Sequence, residues 1–239
     1  MQAIILAGGL GTRLRPRTET VPKAMIPVKG RPFLEYELEL LRAAGINDVV
    51  VCVGYLGRVV QDHFGDGKKF GIRMRYSWDG PKLLGPAGAL KQAEAMLNDT
   101  FFVTYGDAYL RAPYAKVMDA LESSEKLGVM TVYRNDNKYG RSDLEVKDGF
   151  VVRYDKSTPT SETKWINFGV SALRREALDI IKKGEPCGEE EFYGNLISRR
   201  ELLAFPVDQR FYEIGTPDSL AEFERLMAGH RWAASDAYL

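Results

Sequence analysis

Cysteine, histidine, unbalanced charge and long apolar runs are all scarce in this chain, and each scarcity removes a class of protein. Its two cysteines, Cys52 and Cys187, lie far apart, and Cys52 sits inside Val49-Val50-Val51-Cys52-Val53, where a thiol behaves as a small hydrophobe. A disulfide framework or metal cluster is therefore not expected, and a reducing cytoplasm is the expected compartment. Only His63 and His230 exist, and neither lies in a glycine-rich or acidic setting, so no Ser/His/Asp or Cys/His catalytic set is in view. Lysine plus arginine equals aspartate plus glutamate at 33 each, which leaves no global field to gather nucleic acid or an anionic membrane. No segment approaches the roughly 20 apolar residues that span a bilayer. Met1 to Ala7 is a strand-length run without a basic n-region, so no signal peptide is expected. Any anion this protein binds must be held by a local site.

What is present is an ordinary globular composition, 45% apolar and 28% charged, in 239 residues. That length suits one well-buried α/β domain. Gln2 to Ala7 is a short apolar run that meets Gly8-Gly9, as a strand buried on both faces would. Phe33 to Ala44 places Phe33, Leu34, Leu38, Leu41 and Ala44 on one stripe before Gly45, a helix with its stop. Strands at 48–54, 72–77, 101–105 and 128–134 then alternate with helices at 59–64, 87–97 and 114–126. Such alternation predicts a mostly parallel, Rossmann-like sheet in three layers, with helices on both faces.

After about Asn135 the pattern changes. A hairpin turning on Asp148-Gly149 joins 144–146 to 151–154. A strand at 165–172, helices at 175–183 and 189–199, short strands at 202–207 and 210–214, and a helix over 216–227 follow. From about His230 no clear period remains, and those residues are expected to fray or dock on a neighbour. No internal repeat or low-complexity linker divides the chain. Residues 1–239 therefore read as a single α/β domain with a small added β-sheet region.

The strongest local signal is Leu6-Ala7-Gly8-Gly9-Leu10-Gly11-Thr12-Arg13-Leu14-Arg15-Pro16. Three glycines within four residues let backbone approach a ligand closely and aim several N–H groups at it. Arg13 and Arg15 add forked donors that match phosphate oxygens, and Lys23 in Pro22-Lys23 adds a second kind of cation. Two familiar phosphate motifs fail here. A P-loop needs Gly-Lys before Ser or Thr, and Thr12-Arg13 follows Gly11. A dinucleotide turn needs a third glycine where Leu14 stands. Asp107 follows Gly106 at the end of an apolar strand; a metal ligand is the favoured reading, and a turn aspartate is the alternative. Lys156 taken alone reads as a solvated lysine.

The glycine segment, followed by Pro22-Lys23-Ala24-Met25-Ile26-Pro27-Val28, resembles the signature of the sugar-phosphate nucleotidyltransferases, or nucleotide-sugar pyrophosphorylases. The likeness continues through Gly30-Arg31-Pro32-Phe33-Leu34-Glu35-Tyr36, Leu84-Gly85-Pro86-Ala87-Gly88-Ala89, Tyr105-Gly106-Asp107, Asp155-Lys156, Asn167-Phe168-Gly169 and Ile214-Gly215-Thr216-Pro217. It covers nearly the whole chain and is similar to short forms that act on heptose, mannose or N-acetylmuramate 1-phosphates.

The resemblance implies the nucleotide-diphospho-sugar transferase fold. It also implies a reaction, transfer of a nucleoside monophosphate group from a nucleoside triphosphate to a sugar 1-phosphate with Mg²⁺. Residues 1–134 would then mainly bind nucleotide, and 135–239 the sugar phosphate. By motif position, Gly8, Gly9, Gly11, Thr12 and Arg13 would wrap the triphosphate, with Lys23 bridging phosphates, and Leu6, Ala7 and Asp107 would also bind the nucleotide. Gly85, Pro86 and Gly88 would read the base, and Gly140, Lys156 and Asn167 would hold the sugar phosphate. Asp107 and Glu213 would hold the metal, and Arg13, Lys23 and Asp107 would be the catalytic set.

Two departures stand out. Glu213 occupies a place where the family usually has aspartate, so its carboxylate must back away or act through water. Pro86 removes a backbone donor, so base preference does not follow from the likeness. A catalytically weak nucleotide-sugar-binding regulatory module and a cytidylyltransferase for a phosphorylated alcohol are the alternatives within the same fold. Nothing in the sequence assigns an oligomeric state.

Overall fold

The structure, a computed structural model, describes residues 1–229. The segment from His230, expected to fray or dock, lies outside the described residues. In chain order the elements begin with β1 (Gln2–Leu6), β2 (Pro27–Val28), β3 (Arg31–Pro32), α1 (Phe33–Ala43), β4 (Asp48–Val53), α2 (Gly57–Phe64) and β5 (Arg73–Trp78). Next come α3 (Gly85–Ala93), β6 (Thr100–Tyr105), β7 (Ala108–Tyr109), α4 (Tyr114–Glu122), β8 (Gly128–Arg134), β9 (Leu144–Lys147) and β10 (Phe150–Tyr154). The last are β11 (Trp165–Arg174), α5 (Glu189–Ser198), β12 (Leu202–Val207), β13 (Tyr212–Glu213) and α6 (Pro217–Gly229). No described helix is long and apolar enough to cross a membrane.

Two compact units arise. The first comprises residues 1–83, 104–111 and 211 onward; the second comprises 84–103 and 112–210. In the first unit β5, β4 and β1 are parallel neighbours, with Leu6 opposite Cys52 and Val53 opposite Trp78. Ala3, Ile4, Ile5, Val49, Val50 and Val51 are fully buried, which explains why β1 and β4 are continuous rather than alternating apolar runs. On α1 the buried stripe is Phe33, Leu34, Leu38 and Leu41, and Gly45, at φ +76°, ends the helix by donating to the Arg42 carbonyl. Phe223 of α6 packs ring-to-ring on Phe33, Tyr36 and Tyr109 at centroid distances of 5.0, 5.6 and 5.1 Å. This cluster also holds Leu14 and Ile214, next to Arg13 and Glu213, and Ile26, three residues past Lys23.

In the second unit the strand order is β6, β11, β8, β12, β10, β9. β8 and β12 are parallel, whereas β11 runs antiparallel to both β6 and β8. The parallel arrangement read from strand–helix alternation thus holds in the first unit, and the second is mixed. The pairing of β11 with β8 slips between Asn167 and Ser171, making a bulge that contains Gly169 at φ +106°. The Asn167 side-chain oxygen accepts from the Gly169 N–H at 2.9 Å, and the Thr131 hydroxyl donates to the Val170 carbonyl at 2.6 Å.

Several boundaries differ from expectation. The segment expected as a helix over 175–183 is a 3-10 helix over Arg175–Ile180, ended at Ile181, whose backbone is extended and whose N–H donates to the Leu178 carbonyl three residues back at 3.1 Å. α4 ends at Glu122 rather than near Lys126, where the Ser124 hydroxyl bonds the Leu121 carbonyl and competes with the helix ladder. The strand expected over 210–214 shrinks to the two residues of β13, which pairs only with β7.

Truncating Phe223 removes the ring on which three other rings of the first unit pack. Phe223→Ala is expected to cost about 3–5 kcal/mol, the usual range for emptying a buried aromatic site. Denaturant unfolding followed by tryptophan fluorescence checks this, and an unchanged midpoint would contradict the packing account.

Candidate active site

In the first unit the site begins where β1, β4 and β5 end, at Gly8, Gly54 and Asp79. Ligands of open α/β sheets bind at such carboxyl ends. Ala7 donates its N–H to Cys52, after which residues 7–11 form an irregular loop. Gly11 takes φ +61°, and a Cβ there would lie 2.9 Å from Thr18 Cγ2. Its carbonyl is tied by the Leu14 N–H at 3.0 Å and the Thr18 hydroxyl at 2.8 Å. The chain then makes a single 3-10 turn, Thr12–Leu14, whose buried Leu14 anchors it and leaves Arg13 exposed.

After a 3-10 turn at Arg17–Glu19, Lys23 opens a third, Lys23–Met25, in which the Met25 N–H donates to the Pro22 carbonyl at 2.8 Å. Ala24, Met25 and Ile26 are buried, so the turn is fastened from behind and Lys23 faces the other way. Its ammonium pairs with the Asp107 carboxylate; the two side chains are 15% and 32% exposed. Asp107 follows Gly106, where a Cβ would meet that of Ala7 at 3.0 Å, so only glycine lets these chains approach without a shift. The Ile214 N–H donates to the Asp107 carbonyl at 2.9 Å and sets β13 beside β7.

Gly215 shows how the pieces converge. A Cβ on it would lie 3.0 Å from the Arg13 guanidinium and 3.1 Å from the Lys23 ammonium, and would collide with the Glu213 carboxylate. Glu213 accepts the Gly215 N–H, so its extra methylene folds the carboxylate back onto its own chain. Arg13, Lys23, Asp107 and Glu213 thus form one cradle of two cations and two carboxylates. Oxygen donors of this kind suit a hard divalent cation. Among the described residues no group of three or more His, Cys, Asp or Glu stands close enough to cage a metal alone. A divalent cation such as Mg²⁺ needs only one or two carboxylates from a protein, the rest of its shell coming from water and substrate phosphate.

Two acids here, Asp79 and Glu37, belong to none of the sequence motifs. Asp79 Oδ2 stands 3.3 Å from where a Cβ of Gly8 would be and 3.2 Å from that of Gly54. Its place directly after β5 was the signal. Glu37 of α1 is 2% exposed and accepts from the Thr104 hydroxyl at 2.9 Å; burial pushes its carboxyl well above the usual carboxylate range. It falls on the helix's apolar stripe, four residues after Phe33, which was the signal for a buried acid.

The second unit holds Gly85, Pro86, Gly88, Gly140, Lys156 and Asn167. Pro86 lies in the first turn of α3, where its missing N–H costs nothing. Gly85, at φ +72°, and Gly88 accommodate the 185–187 segment: the Ala87 and Gly88 N–H groups both point at the Cys187 carbonyl, at 3.2 and 3.3 Å. Gly140 ends a loop whose carbonyl is held by the Asn135 amide at 2.8 Å. Lys156 and Asn167 meet at Glu189, the first residue of α5. The Lys156 ammonium donates to one Glu189 oxygen at 2.7 Å, and the Asn167 amide donates to the other at 3.2 Å. The sequence offered only a run of three glutamates at a helix start, which reads as a solvated face.

Asp143, also missed, accepts the Asn167 N–H at 3.1 Å. Burial pushes its carboxyl up to about 6.

The first unit's parallel layer, with a charged cradle at its strand ends, defines an α/β protein of the nucleotide-handling kind. The chain belongs to the nucleotidyl transferase family, whose model matches residues 2–228. It is similar to the D-glycero-alpha-D-manno-heptose 1-phosphate guanylyltransferase of Campylobacter jejuni, 29% identical over 223 residues, 93% of this chain and 98% of that protein. It is also similar to the UTP–glucose-1-phosphate uridylyltransferase of Synechocystis, 32% identical over 91% of this chain, and spans 61% of that protein's length. The crystal structure of HddC from Yersinia pseudotuberculosis complexed with GMP-PN superposes with a TM-score of 0.80 over 95% of this chain and 99% of that one. At 23% identity, that match shows the shared fold.

Asp143 makes a pH prediction with a definite sign. Its carboxyl is raised from the ordinary 3.8 to about 6, so its contribution is fully present below pH 3.8 and is lost as pH rises through about 6. The loss is on the order of 3 kcal/mol. Asp143→Asn should therefore stabilise the protein more at pH 8 than at pH 5, read as the melting-temperature difference from wild type. Equal differences at both pH values would contradict the assignment.

Proposed function

We propose that this chain transfers a nucleoside monophosphate group from a nucleoside triphosphate to a sugar 1-phosphate, releasing pyrophosphate and a nucleoside diphosphate sugar. The observation that carries the reading is the cradle around Gly215, where Arg13, Lys23, Asp107 and Glu213 converge beside the glycine loop. Both substrates are anions, so attack of a sugar-phosphate oxygen on the α-phosphorus requires charge neutralisation and positioning rather than a protein nucleophile. Gly8, Gly9, Gly11 and Thr12 present backbone to the triphosphate, and Leu6 and Ala7 lead into that loop. Arg13 takes the leaving pyrophosphate, and Lys23 exchanges its Asp107 contact for phosphate oxygens. Asp107 and Glu213 would hold Mg²⁺, which would offset charge on the phosphate oxygens.

Residues 1–134 serve mainly the nucleotide and 135–239 mainly the sugar phosphate, with Lys156, Asn167 and the Gly140 loop on the phosphate and sugar. Gly85, Pro86 and Gly88 border the base. Guanine is the base proposed: at the strand ends of the first unit the Asp79 carboxylate only accepts hydrogen bonds, and guanine alone offers adjacent ring and amino N–H donors on one edge. The Campylobacter relative points the same way and favours a manno-configured sugar 1-phosphate. A reducing cytoplasm, which supplies nucleoside triphosphates, suits the free Cys52 and Cys187.

Incubating the protein with each triphosphate, Mg²⁺ and a panel of sugar 1-phosphates, and measuring pyrophosphate, tests the reaction; release with no pair refutes it. Arg13→Ala and Asp107→Ala should each lower kcat/KM about a hundredfold or more, the usual cost of removing a charge-stabilising group. Normal rates in both would remove the site assignment.

A further inference from the structure

Glu189 stands outside every motif that drew attention in the sequence, yet it is the hub of the second unit's polar cluster. Its side chain is 12% exposed, against 48% for Lys156. One carboxylate oxygen accepts a hydrogen bond from the Lys156 ammonium and the other accepts one from the Asn167 amide. The Lys156 backbone N–H is held by the neighbouring Glu190 at 2.7 Å, and its ammonium lies 5.2 Å from the Tyr154 ring centre. Asn167 is fixed at its other end as well, because its oxygen accepts from Gly169 and its own N–H donates to Asp143. An ammonium carries three N–H donors, and Glu189 accepts from one of them. Half-exposed Lys156 therefore keeps donors turned toward water while its position is set from the buried side.

We infer that Glu189 is a positioning residue for the sugar phosphate: it holds the Lys156 ammonium and the Asn167 amide in the places from which they grip the substrate. The inference rests on the reading that Lys156 and Asn167 take the sugar phosphate. Electrostatics alone gives the opposite expectation. A carboxylate near a phosphate repels it, so deleting a mere bystander charge strengthens anion binding. Deleting a positioning carboxylate weakens it, because a four-carbon lysine stem regains its rotamer freedom and must be ordered anew by the ligand. The sign of the effect separates the two.

Calorimetry with mannose 1-phosphate, repeated with glucose 1-phosphate and inorganic phosphate, is the test, run on the intact chain with pyrophosphate release measured in parallel. Glu189→Ala and Glu189→Gln should each weaken sugar-phosphate binding about tenfold, the scale of one charge-assisted hydrogen bond. GTP binding and the melting profile serve as controls for folding, and Glu189→Gln keeps the side chain's size should Glu189→Ala not fold. In a Lys156→Ala background, Glu189→Ala should have little further effect, since it acts largely through that lysine.

Unchanged or tighter sugar-phosphate binding in both Glu189 variants overturns the inference, as does full additivity with Lys156→Ala. Pyrophosphate release by the wild type with no Glu189 effect overturns the positioning role and leaves the reaction standing. The expected binding pattern without pyrophosphate release overturns the reaction and leaves the positioning role. A wild type that neither binds any of the three probes nor releases pyrophosphate with any sugar 1-phosphate overturns both.

Discussion

The Lys23–Asp107 pair is the contact around which the first unit's site is organised. In water two unit charges at about 4 Å are worth only about 1 kcal/mol, so exposed charges alone would not hold a defined geometry. Here both side chains are partly withdrawn from solvent, and each is mounted on backbone fastened from behind. Lys23 rides on a turn whose other residues are buried, and Asp107 follows a glycine pressed against Ala7. The same core that buries Leu14, Ile26 and Ile214 therefore fixes Arg13 and Glu213 beside it and Lys23, whose carbonyl takes the Ile26 N–H at 3.1 Å. Packing energy is converted into charge placement.

The second unit solves a similar problem with different parts. Lys156 lies just past a strand end and would be an ordinary solvated lysine without Glu189 and Glu190. Asn167 is turned by a bulge in β11, where the ladder to β8 slips and the Thr131 hydroxyl occupies backbone groups. In each unit a cation meets a carboxylate. With the whole chain at zero formal charge, such local pairings rather than a global field must define where an anion goes.

Much of this was legible before the structure. The buried strands and α1 showed because their signals are periodic and local. The glycine loop with Arg13 and Lys23 showed because three closely spaced glycines have few other uses. What escaped was polar and context-dependent. Asp79 looks like half of an Asp-Gly turn until it is seen standing over Gly8 and Gly54. Glu189 looks like one of three solvated glutamates until both of its oxygens are found in use. Gly85 and Gly88 stood in the sequence as base-reading positions by resemblance, and within the second unit what approaches them is the backbone of residues 185–187.

By itself the sequence determined which segments become strands and helices, and where backbone could come unusually near another group, since those depend on residues close along the chain. Only the tertiary structure decided which charges face one another. Lys23 and Asp107 are 84 positions apart, and Asn167 and Glu189 are 22 apart. No local pattern encodes such pairs. They are set by strand register and by the packing behind each turn, which bring side chains together only when the whole core has closed.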